Sequence, residues 1–396
     1  MRLFEYQAKS VFSEAGIPVP RSILVRAPAA QGANDPPRDF SEAVKKAAAD
    51  LLGENNKVVV KAQVLMGGRG KAGLIRIANT PDEAAEIALE FISGEYEVQT
   101  VLVEEAVDFE SELYLSITAD PEPSTYVVLA SSEGGVEIEE LAKTRPHAIK
   151  RMSVDVNRGL QAYQTRSLAH DLGLSGAEAK QFASVLRQLH GLFVANDAEL
   201  AEINPLFIKT GGSLVAGDGK LMIDDNSLFR QPAFELSREY FDSDAEFEAA
   251  EEGIPYLQFD GDISLMCAGA GLTTTVYDLV HYEGGTISNY LEFGGPNYRK
   301  AKREMELCLK NESKVILIVT FGTIARADVM AEGVVAAIRE LNPDRPIVTC
   351  IRGTNEEAAT ETLKSAGLEP LFDTEEAVRR AVAIASGAYS SAGGLS

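Results

Sequence analysis

The chain has 396 residues, 45% hydrophobic and 24% charged, which is enough for two or three globular domains. Its formal net charge of −23 argues against nucleic acid or an anionic membrane surface as a partner, because both are polyanions. No segment approaches the roughly 18 unbroken apolar residues of a membrane span. The N-terminus, beginning Met1-Arg2, lacks the apolar stretch of a signal peptide. Cys267, Cys308 and Cys350 have no metal-site or redox spacing, so buried thiols in a cytoplasmic protein are expected.

Helices and antiparallel-type strands are predicted along the first 240 residues. The helices are expected at 5–15, 39–52 and 176–194, and the strands at 57–64, 101–104, 113–118 and 126–130. A hairpin is expected next, formed by strands 200–208 and 213–223 and turned at Gly211-Gly212.

The pattern changes after an acidic segment at 242–252, which is typical of a solvated helix or linker. Strand-like segments at 263–267, 314–320 and 346–351 alternate with helical ones such as 325–341 and 356–366. Such alternation predicts a parallel sheet with helices on both faces. A domain boundary is therefore expected near residue 240.

A strand that delivers a lysine and then a cationic glycine loop is the clearest functional pattern. Lys61 lies on the strand 57–64, and Gly68-Arg69-Gly70-Lys71 follows it. Glycines let backbone N–H groups approach an oxyanion, and the three cations supply charge for a polyphosphate. The loop is not of the Walker type, because no Gly-Lys-Ser/Thr opens a helix. The alternative is a flexible basic hairpin.

Two further patterns suggest ligand contacts. The segment from Glu104 to Val107 runs out of a strand, where backbone groups could pair with a purine edge, and Glu112 could accept from ribose hydroxyls. On their own these glutamates are better explained as ordinary surface residues. Asn204 and Asp218, on facing strands of the hairpin, could supply two oxygen ligands to Mg²⁺. The alternative there is a hairpin with two polar edge residues.

Six sequence blocks in order, taken together, are more specific than any one motif. They are Phe4-Glu5-Tyr6-Gln7-Ala8-Lys9, the loop 61–73, Glu133-Gly134-Gly135-Val136-Glu137-Ile138-Glu139, Glu202-Ile203-Asn204-Pro205-Leu206, Asp218-Gly219-Lys220 and Leu228-Phe229-Arg230-Gln231-Pro232. Over essentially the whole chain they resemble the succinyl-CoA synthetase β-subunit family. The resemblance implies a mixed α/β and α+β protein. An ATP-grasp domain would span 1–240, with a small lid subdomain at about 22–104, and a flavodoxin-like, doubly wound CoA-ligase domain would span 241–396.

The resemblance also implies roles for individual residues. The implied nucleotide (ATP/ADP) contacts are Lys61, Gly68, Arg69, Gly70, Glu104, Val107 and Glu112. Asn204 and Asp218 correspond to the Mg²⁺ ligands. Glu202 corresponds to the carboxylate that meets a phosphorylated histidine, and Arg69 is placed with it as catalytic. Pro20 matches the members that prefer adenine.

The phosphorylated histidine itself is expected on another chain. None of His147, His170, His190 and His281 lies in a glycine-rich context suited to a mobile phosphohistidine loop. The resemblance therefore implies a partner α subunit, in an αβ or α2β2 assembly, that carries the histidine and most of the coenzyme A site.

The acid-binding half departs from the family pattern. Ala268 stands where the family has Asn, and Gly322-Thr323-Ile324-Ala325 replaces Gly-Gly-Ile-Val, so that Ala268, Thr323, Ile324 and Ala325 become candidate substrate residues. These departures resemble citrate-activating relatives, or they are drift. The implied reaction joins succinate to coenzyme A with ATP, giving ADP and phosphate. Malate, citrate and a sulfonated acid stay open as substrates, and a stand-alone carboxylate–amine ligase and a nucleotide-sensing subunit stay open as functions.

Overall fold

The computed structural model describes residues 1–27, 38–52, 56–96, 98–122, 124–293, 300–322 and 325–388. The chain divides into two compact units, Met1–Glu235 and Leu236–Ser396. No helix among the described residues is long and apolar enough to cross a bilayer. The three cysteines are buried and free, as predicted.

The first unit contains six α-helices and ten strands among its described residues. They are α1 (Glu5–Glu14), β1 (Ser22–Arg26), α2 (Arg38–Leu51), β2 (Val58–Ala62), β3 (Ile75–Ala78), α3 (Pro81–Ser93), β4 (Thr100–Glu105), β5 (Ser111–Asp120), β6 (Thr125–Ser131), α4 (Ile138–Thr144), β7 (Ile149–Val154), α5 (Ala162–Asp171), α6 (Gly176–Ala195), β8 (Ala198–Ile208), β9 (Leu214–Ala216) and β10 (Lys220–Ile223). The helices and strands predicted here are present apart from the second strand of the hairpin, and β1, β3, β7, α4 and α5 are additions that the sequence patterns did not reveal.

Two antiparallel sheets organise this unit. The smaller, in the order β1-β4-β2-β3, packs one face against α2 and α3 around Val44, Val58 and Phe91. The larger, in the order β10-β8-β5-β6-β7 with β9 also on β8, packs against α1 and α6 around Phe12 and Phe182. Each sheet therefore has its own apolar core.

The prediction of one continuous second strand in the hairpin, at 213–223, is wrong. The strand is broken between β9 and β10, at residues 217–219. A Cβ on Gly217 would lie 2.2 Å from the Phe207 ring, and one on Gly219 would lie 2.6 Å from the Phe12 ring. Glycine is therefore needed on both sides of Asp218, and the break carries this aspartate out of the ladder.

The second unit is built on one five-stranded sheet. Its elements are α7 (Asp244–Glu251), β11 (Tyr256–Gln258), β12 (Ile263–Cys267), α8 (Ala270–Tyr282), β13 (Ile287–Leu291), α9 (Ala301–Cys308), β14 (Val315–Gly322), α10 (Ala327–Leu341), β15 (Ile347–Gly353), α11 (Glu356–Ser365) and α12 (Thr374–Ala385). The strand order is β11-β13-β12-β14-β15, and only β11, at one edge, is antiparallel to its neighbour.

Helices cover both faces of this sheet. One core lies under α8 and α12, around Val276 and Val378, and the other lies under α9 and α10, around Met305 and Val334. The central strands β12 and β14 are mostly apolar, as expected when a parallel sheet is covered on both sides. This confirms the predicted doubly wound architecture, apart from the antiparallel edge strand. The acidic segment contributes α7, which is capped by the Ser243 side chain.

Candidate active site

A cavity of about 710 Å³ lies in the first unit. Its lining includes all ten residues for which the family resemblance implies nucleotide binding, metal binding or a part in phosphoryl transfer: Lys61, Gly68, Arg69, Gly70, Glu104, Val107, Glu112, Glu202, Asn204 and Asp218. They come from the smaller sheet, the glycine loop, the larger sheet and the break between β9 and β10. Segments far apart in the chain are thus brought together around one space.

Strand alternation places Lys61 on the cavity side of β2. Val58, Val60 and Ala62 enter the core of the smaller sheet, so Val59 and Lys61 face the other way. The Lys61 Nζ lies 2.8 Å from Glu5 Oε1, 2.8 Å from Glu104 Oε1 and 2.7 Å from the Gly217 carbonyl oxygen. All three contacts hold the ammonium at the cavity wall.

The glycine loop delivers Arg69 to the same wall. Gly68 has φ of +71°, a conformation that L side chains rarely adopt, so the loop needs glycine before the arginine. The Arg69 guanidinium donates to both Asp218 oxygens, at 3.0 and 2.9 Å, and Nη2 lies 2.7 Å from Glu5 Oε2. Its Nη1 donates to the Ala62 carbonyl oxygen at 3.1 Å.

Two residues of α1 complete this cluster and were not among the predicted site residues. Glu5 bridges Lys61 and Arg69 through its two oxygens. Lys9 Nζ lies 2.5 Å from Glu104 Oε2 and 2.9 Å from Glu5 Oε1. Both were quoted in the first resemblance block, but a Glu–Lys pair four residues apart on a helix is ordinary surface patterning, so the sequence gave no reason to place them inside.

Burial and charge oppose each other in this cluster. Burial alone would raise the pKa of Glu5, but Lys61, Lys9 and Arg69 hold it well below its usual range. Burial alone would lower the pKa of Lys61, but the charges of Glu104, Glu5 and Asp218 raise it. The neighbouring opposite charges therefore favour the charged forms of both Glu5 and Lys61 in spite of their burial.

The candidate metal ligands lie opposite each other across the broken hairpin. The ladder pairs Leu206 with Ala216 and Glu202 with Lys220, a register that sets Asn204 opposite Asp218. Two oxygen-bearing side chains suit Mg²⁺, which usually takes one or two protein ligands and completes its shell with phosphates and water. Among the described residues no group of three or more His, Cys, Asp and Glu could hold a metal instead. The donor set thus fits Mg²⁺ carried with a nucleotide.

Glu202 is oriented by a hydroxyl pair on β5. The Tyr114 hydroxyl donates to Glu202 Oε2 at 2.8 Å and lies 2.9 Å from Ser116 Oγ. Burial raises the pKa of Glu202. Neither Tyr114 nor Ser116 was predicted, because each reads as an ordinary alternating strand residue.

The candidate substrate residues belong to the second unit. Ala268 and Ala325 follow the carboxyl ends of β12 and β14, which are neighbours in the sheet, and each packs against the core there. Thr323 and Ile324 lie outside the described residues. The strand order reverses direction at β12, and ligands of open α/β sheets commonly bind at such a point.

Comparisons with known proteins match both units. A family model for an ATP-grasp domain matches residues 2–208, and a CoA-ligase model matches residues 266–384. An ADP-forming sulfoacetate-CoA ligase subunit of Bilophila wadsworthia is 56% identical, covering 98% of this chain and 100% of that protein. The β subunit of an ADP-forming succinate–CoA ligase from Ignicoccus hospitalis is 42% identical, with coverage of 98% and 100%. The chain belongs to the succinyl-CoA synthetase β-subunit family.

Membership of the succinyl-CoA synthetase family confirms the predicted enzyme class, an ADP-forming acid–thiol ligase, and makes the chain its β-type subunit. A second sulfoacetate-CoA ligase subunit, from Acholeplasma, is 55% identical over 98% of this chain and 92% of that protein. The solved ATP citrate lyase of Methanothrix soehngenii has a TM-score of 0.74 at 21% identity, covering 98% of this chain and 99% of that one. That likeness confirms the ATP-grasp and CoA-ligase fold.

Proposed function

We propose that this chain binds ATP·Mg²⁺ and presents the γ-phosphate for transfer to a histidine on a partner α subunit, in an enzyme that joins a small sulfonated carboxylic acid to coenzyme A. The nucleotide-binding part of this proposal is supported by one observation. Ten predicted site residues from distant segments of the chain line the same cavity. Lys61 and Arg69 would contact the phosphates, and Asn204 with Asp218 would hold the metal. Bound Mg²⁺ would neutralise phosphate charge during transfer.

Phosphate would take over contacts that the cluster now makes internally. Lys61 and Arg69 are held by Glu5, Glu104 and Asp218, so neither cation has to be brought in from solvent. Such preorganisation avoids an ordering cost when a charged ligand arrives. Glu202, fixed by the Tyr114 hydroxyl, would meet the incoming histidine at the other end of the cavity wall.

A partner histidine is favoured by the composition of the cavity. None of the described residues that line it is a histidine. The relatives are also named as subunits. With γ-labelled ATP, the isolated chain should therefore form no base-stable phosphoprotein, whereas the assembled complex should. Label on His147, His170, His190 or His281 of the isolated chain would contradict a two-subunit mechanism.

The acid is proposed to be sulfoacetate or a close analogue. Two sulfoacetate-CoA ligase subunits are 56% and 55% identical to this chain, against 42% for a succinate–CoA ligase subunit. A sulfonate carries three oxygens where the distal carboxylate of succinate carries two. Ala268, in place of the asparagine expected from the family pattern, would leave room for the larger group and would remove an amide suited to a carboxylate.

Acid selectivity is tested on the complex of this chain with its partner subunit. ADP release that depends on coenzyme A is measured with sulfoacetate, succinate, malate and citrate, and kcat/KM values are compared. Sulfoacetate is expected to exceed succinate by about a hundredfold or more, because polar groups arranged for one acid are left unpaired by the other. A clear preference for succinate would identify the enzyme as a succinate–CoA ligase. The departures from the family pattern at Ala268 and its neighbours would then be neutral drift. Because of the CoA-ligase domain, a stand-alone carboxylate–amine ligase is not favoured.

A further inference from the structure

A second buried lysine stands behind the lysine of the cavity wall. Lys9, on α1, is 3% exposed and does not line the cavity, whereas Lys61 does. Both ammonium groups contact the same three partners: a Glu5 oxygen, a Glu104 oxygen and the carbonyl of Gly217. For Lys9 the distances are 2.9, 2.5 and 2.7 Å, and for Lys61 they are 2.8, 2.8 and 2.7 Å.

Lys9 supplies one of three positive charges in a buried cluster at this wall, beside which Arg2 also lines the cavity. The phosphate cluster consists of three carboxylates, Glu5, Glu104 and Asp218, and three cations, Lys9, Lys61 and Arg69. Without Lys9 the cluster would carry one net negative charge beside the space proposed for a triphosphate. Buried charges are screened far less than surface ones, so a single charge matters here.

We infer that Lys9 is a positioning residue for the nucleotide phosphates, an inference that rests on the proposed nucleotide-binding function. Lys9 satisfies Glu5 and Glu104 from the side away from the cavity. Lys61 and Arg69 are then held in place without being fully neutralised, so their charge is available to phosphate oxygens. The residue acts through its two carboxylate partners and does not touch the nucleotide.

A purely structural role for Lys9 makes a different prediction. If Lys9 only stabilised the packing of α1, its loss would weaken every ligand of the cavity to a similar degree. If it sets the charge of the phosphate cluster, its loss weakens ligands in proportion to the phosphates they carry. Adenosine, which has none, separates the two roles.

The test replaces Lys9 by methionine in the full-length chain. Dissociation constants of ATP·Mg²⁺, ADP·Mg²⁺ and AMP are measured by calorimetry, and that of adenosine by NMR titration. Affinity for ATP should fall by about tenfold or more, the loss should shrink from ATP to ADP to AMP, and adenosine should change by less than about twofold. Lys45→Met, which removes an exposed lysine of α2 paired with Asp82, is the matched control and should change none of them.

Three further variants keep the test decisive if Lys9→Met folds poorly. Lys9→Met is also combined with Glu104→Gln, so that the effect of Lys9 is measured with one carboxylate charge of the cluster already removed. Compared with Glu104→Gln alone, the double variant should bind ATP more weakly and adenosine equally. Lys9→Arg retains the charge and should recover most of the ATP affinity.

The outcomes separate the two proposals. If the wild-type chain binds ATP and Lys9→Met binds it equally well, or if adenosine and ATP weaken in parallel, the positioning role is wrong and the nucleotide site stands. If the wild-type chain binds no adenine nucleotide, the proposed function itself fails.

Discussion

Two buried glutamates, one in each unit, have opposite surroundings. Glu5 is 4% exposed and meets three cations, which hold its pKa well below the usual range despite burial. Glu304, on α9, is fully buried, and neither of its carboxylate oxygens has a hydrogen-bond partner among the residues that the structure describes. Burial raises the pKa of Glu304 to about 8.

The contrast shows that a buried glutamate can be part of an ion-pair cluster in one unit and lie in an apolar core in the other. The first unit gathers paired charges at the wall of a cavity, where a charged ligand can exchange with them. The second unit keeps its buried acid neutral beside Met305 and Cys308, inside an apolar core. Burial of an acid therefore indicates function only when its partners are known.

The largest effect is expected at the charged wall, and it tests whether these charges act on a ligand. In Asp218→Ala, transfer of label from γ-labelled ATP to the partner subunit should fall by about a thousandfold, because the variant loses a proposed metal ligand and the carboxylate that accepts two hydrogen bonds from Arg69 Nη2. Asp82→Ala, which removes an exposed aspartate, is the control. Wild-type transfer in Asp218→Ala would remove this aspartate from the site and leave the cluster a structural feature.

The next largest effect is expected from the Glu304 carboxyl, and it concerns the free energy of unfolding rather than activity. This carboxyl has a reference pKa of 4.5 and a folded pKa of about 8, so the fold favours the neutral form. The stability linked to this group is complete below about pH 4.5 and is lost progressively as pH rises to about 8. At pH 7 the loss is on the order of 3 kcal/mol, since one pKa unit corresponds to about 1.36 kcal/mol.

Glu304→Gln should therefore remove this pH dependence. In urea titrations from pH 5 to pH 8, the stability of the variant relative to the wild type should rise steadily. Glu306→Gln provides the comparison with a half-exposed glutamate of the same helix, one that pairs with Arg303. Parallel stability curves for Glu304→Gln and the wild type would show that the buried carboxyl finds a partner in solution.

From the sequence, the residues that line the cavity could be predicted better than the buried residues that contact them. Lys61 and Arg69 could be found because a strand lysine followed by a glycine-rich cationic loop is a local pattern. The ladder between β8 and its neighbours then brought Asn204 opposite Asp218, much as the hairpin suggested. The break at residues 217–219 was missed because its cause, contact with the Phe12 and Phe207 rings, is tertiary.

The partners of those residues depend on contacts across long stretches of chain. Glu5 and Lys9 reach Glu104 and Gly217 only after α1 docks against both sheets. Glu304 lies among the charged residues of α9, and only the folded structure shows that it is enclosed. Periodicity locates helices and strands, but it cannot say which charged residue faces another element.

A smaller effect is expected at the carboxyl edge of the second sheet. Ala268→Asn would introduce an amide where the wild-type chain has only a methyl group. The ratio of kcat/KM for succinate to that for sulfoacetate should rise by about tenfold, as expected for one hydrogen bond gained with a carboxylate. Ala358→Asn, at an exposed position of α11, is the control. An unchanged ratio would mean that Ala268 does not select the acid.

The smallest effect is expected from the hydroxyl that orients Glu202. Tyr114→Phe removes the hydrogen bond to Glu202 Oε2 and leaves the aromatic ring in its buried place. A single hydrogen bond is worth about 1 kcal/mol, so the rate of phosphoryl transfer to the partner subunit should fall about fivefold. ATP affinity should be unchanged, because Tyr114 does not line the cavity. Tyr163→Phe, on the surface of α5, is the matched control. If ATP affinity and transfer fell together, Tyr114 would be part of the packing that forms the nucleotide site; a loss confined to transfer would assign it to the orientation of Glu202.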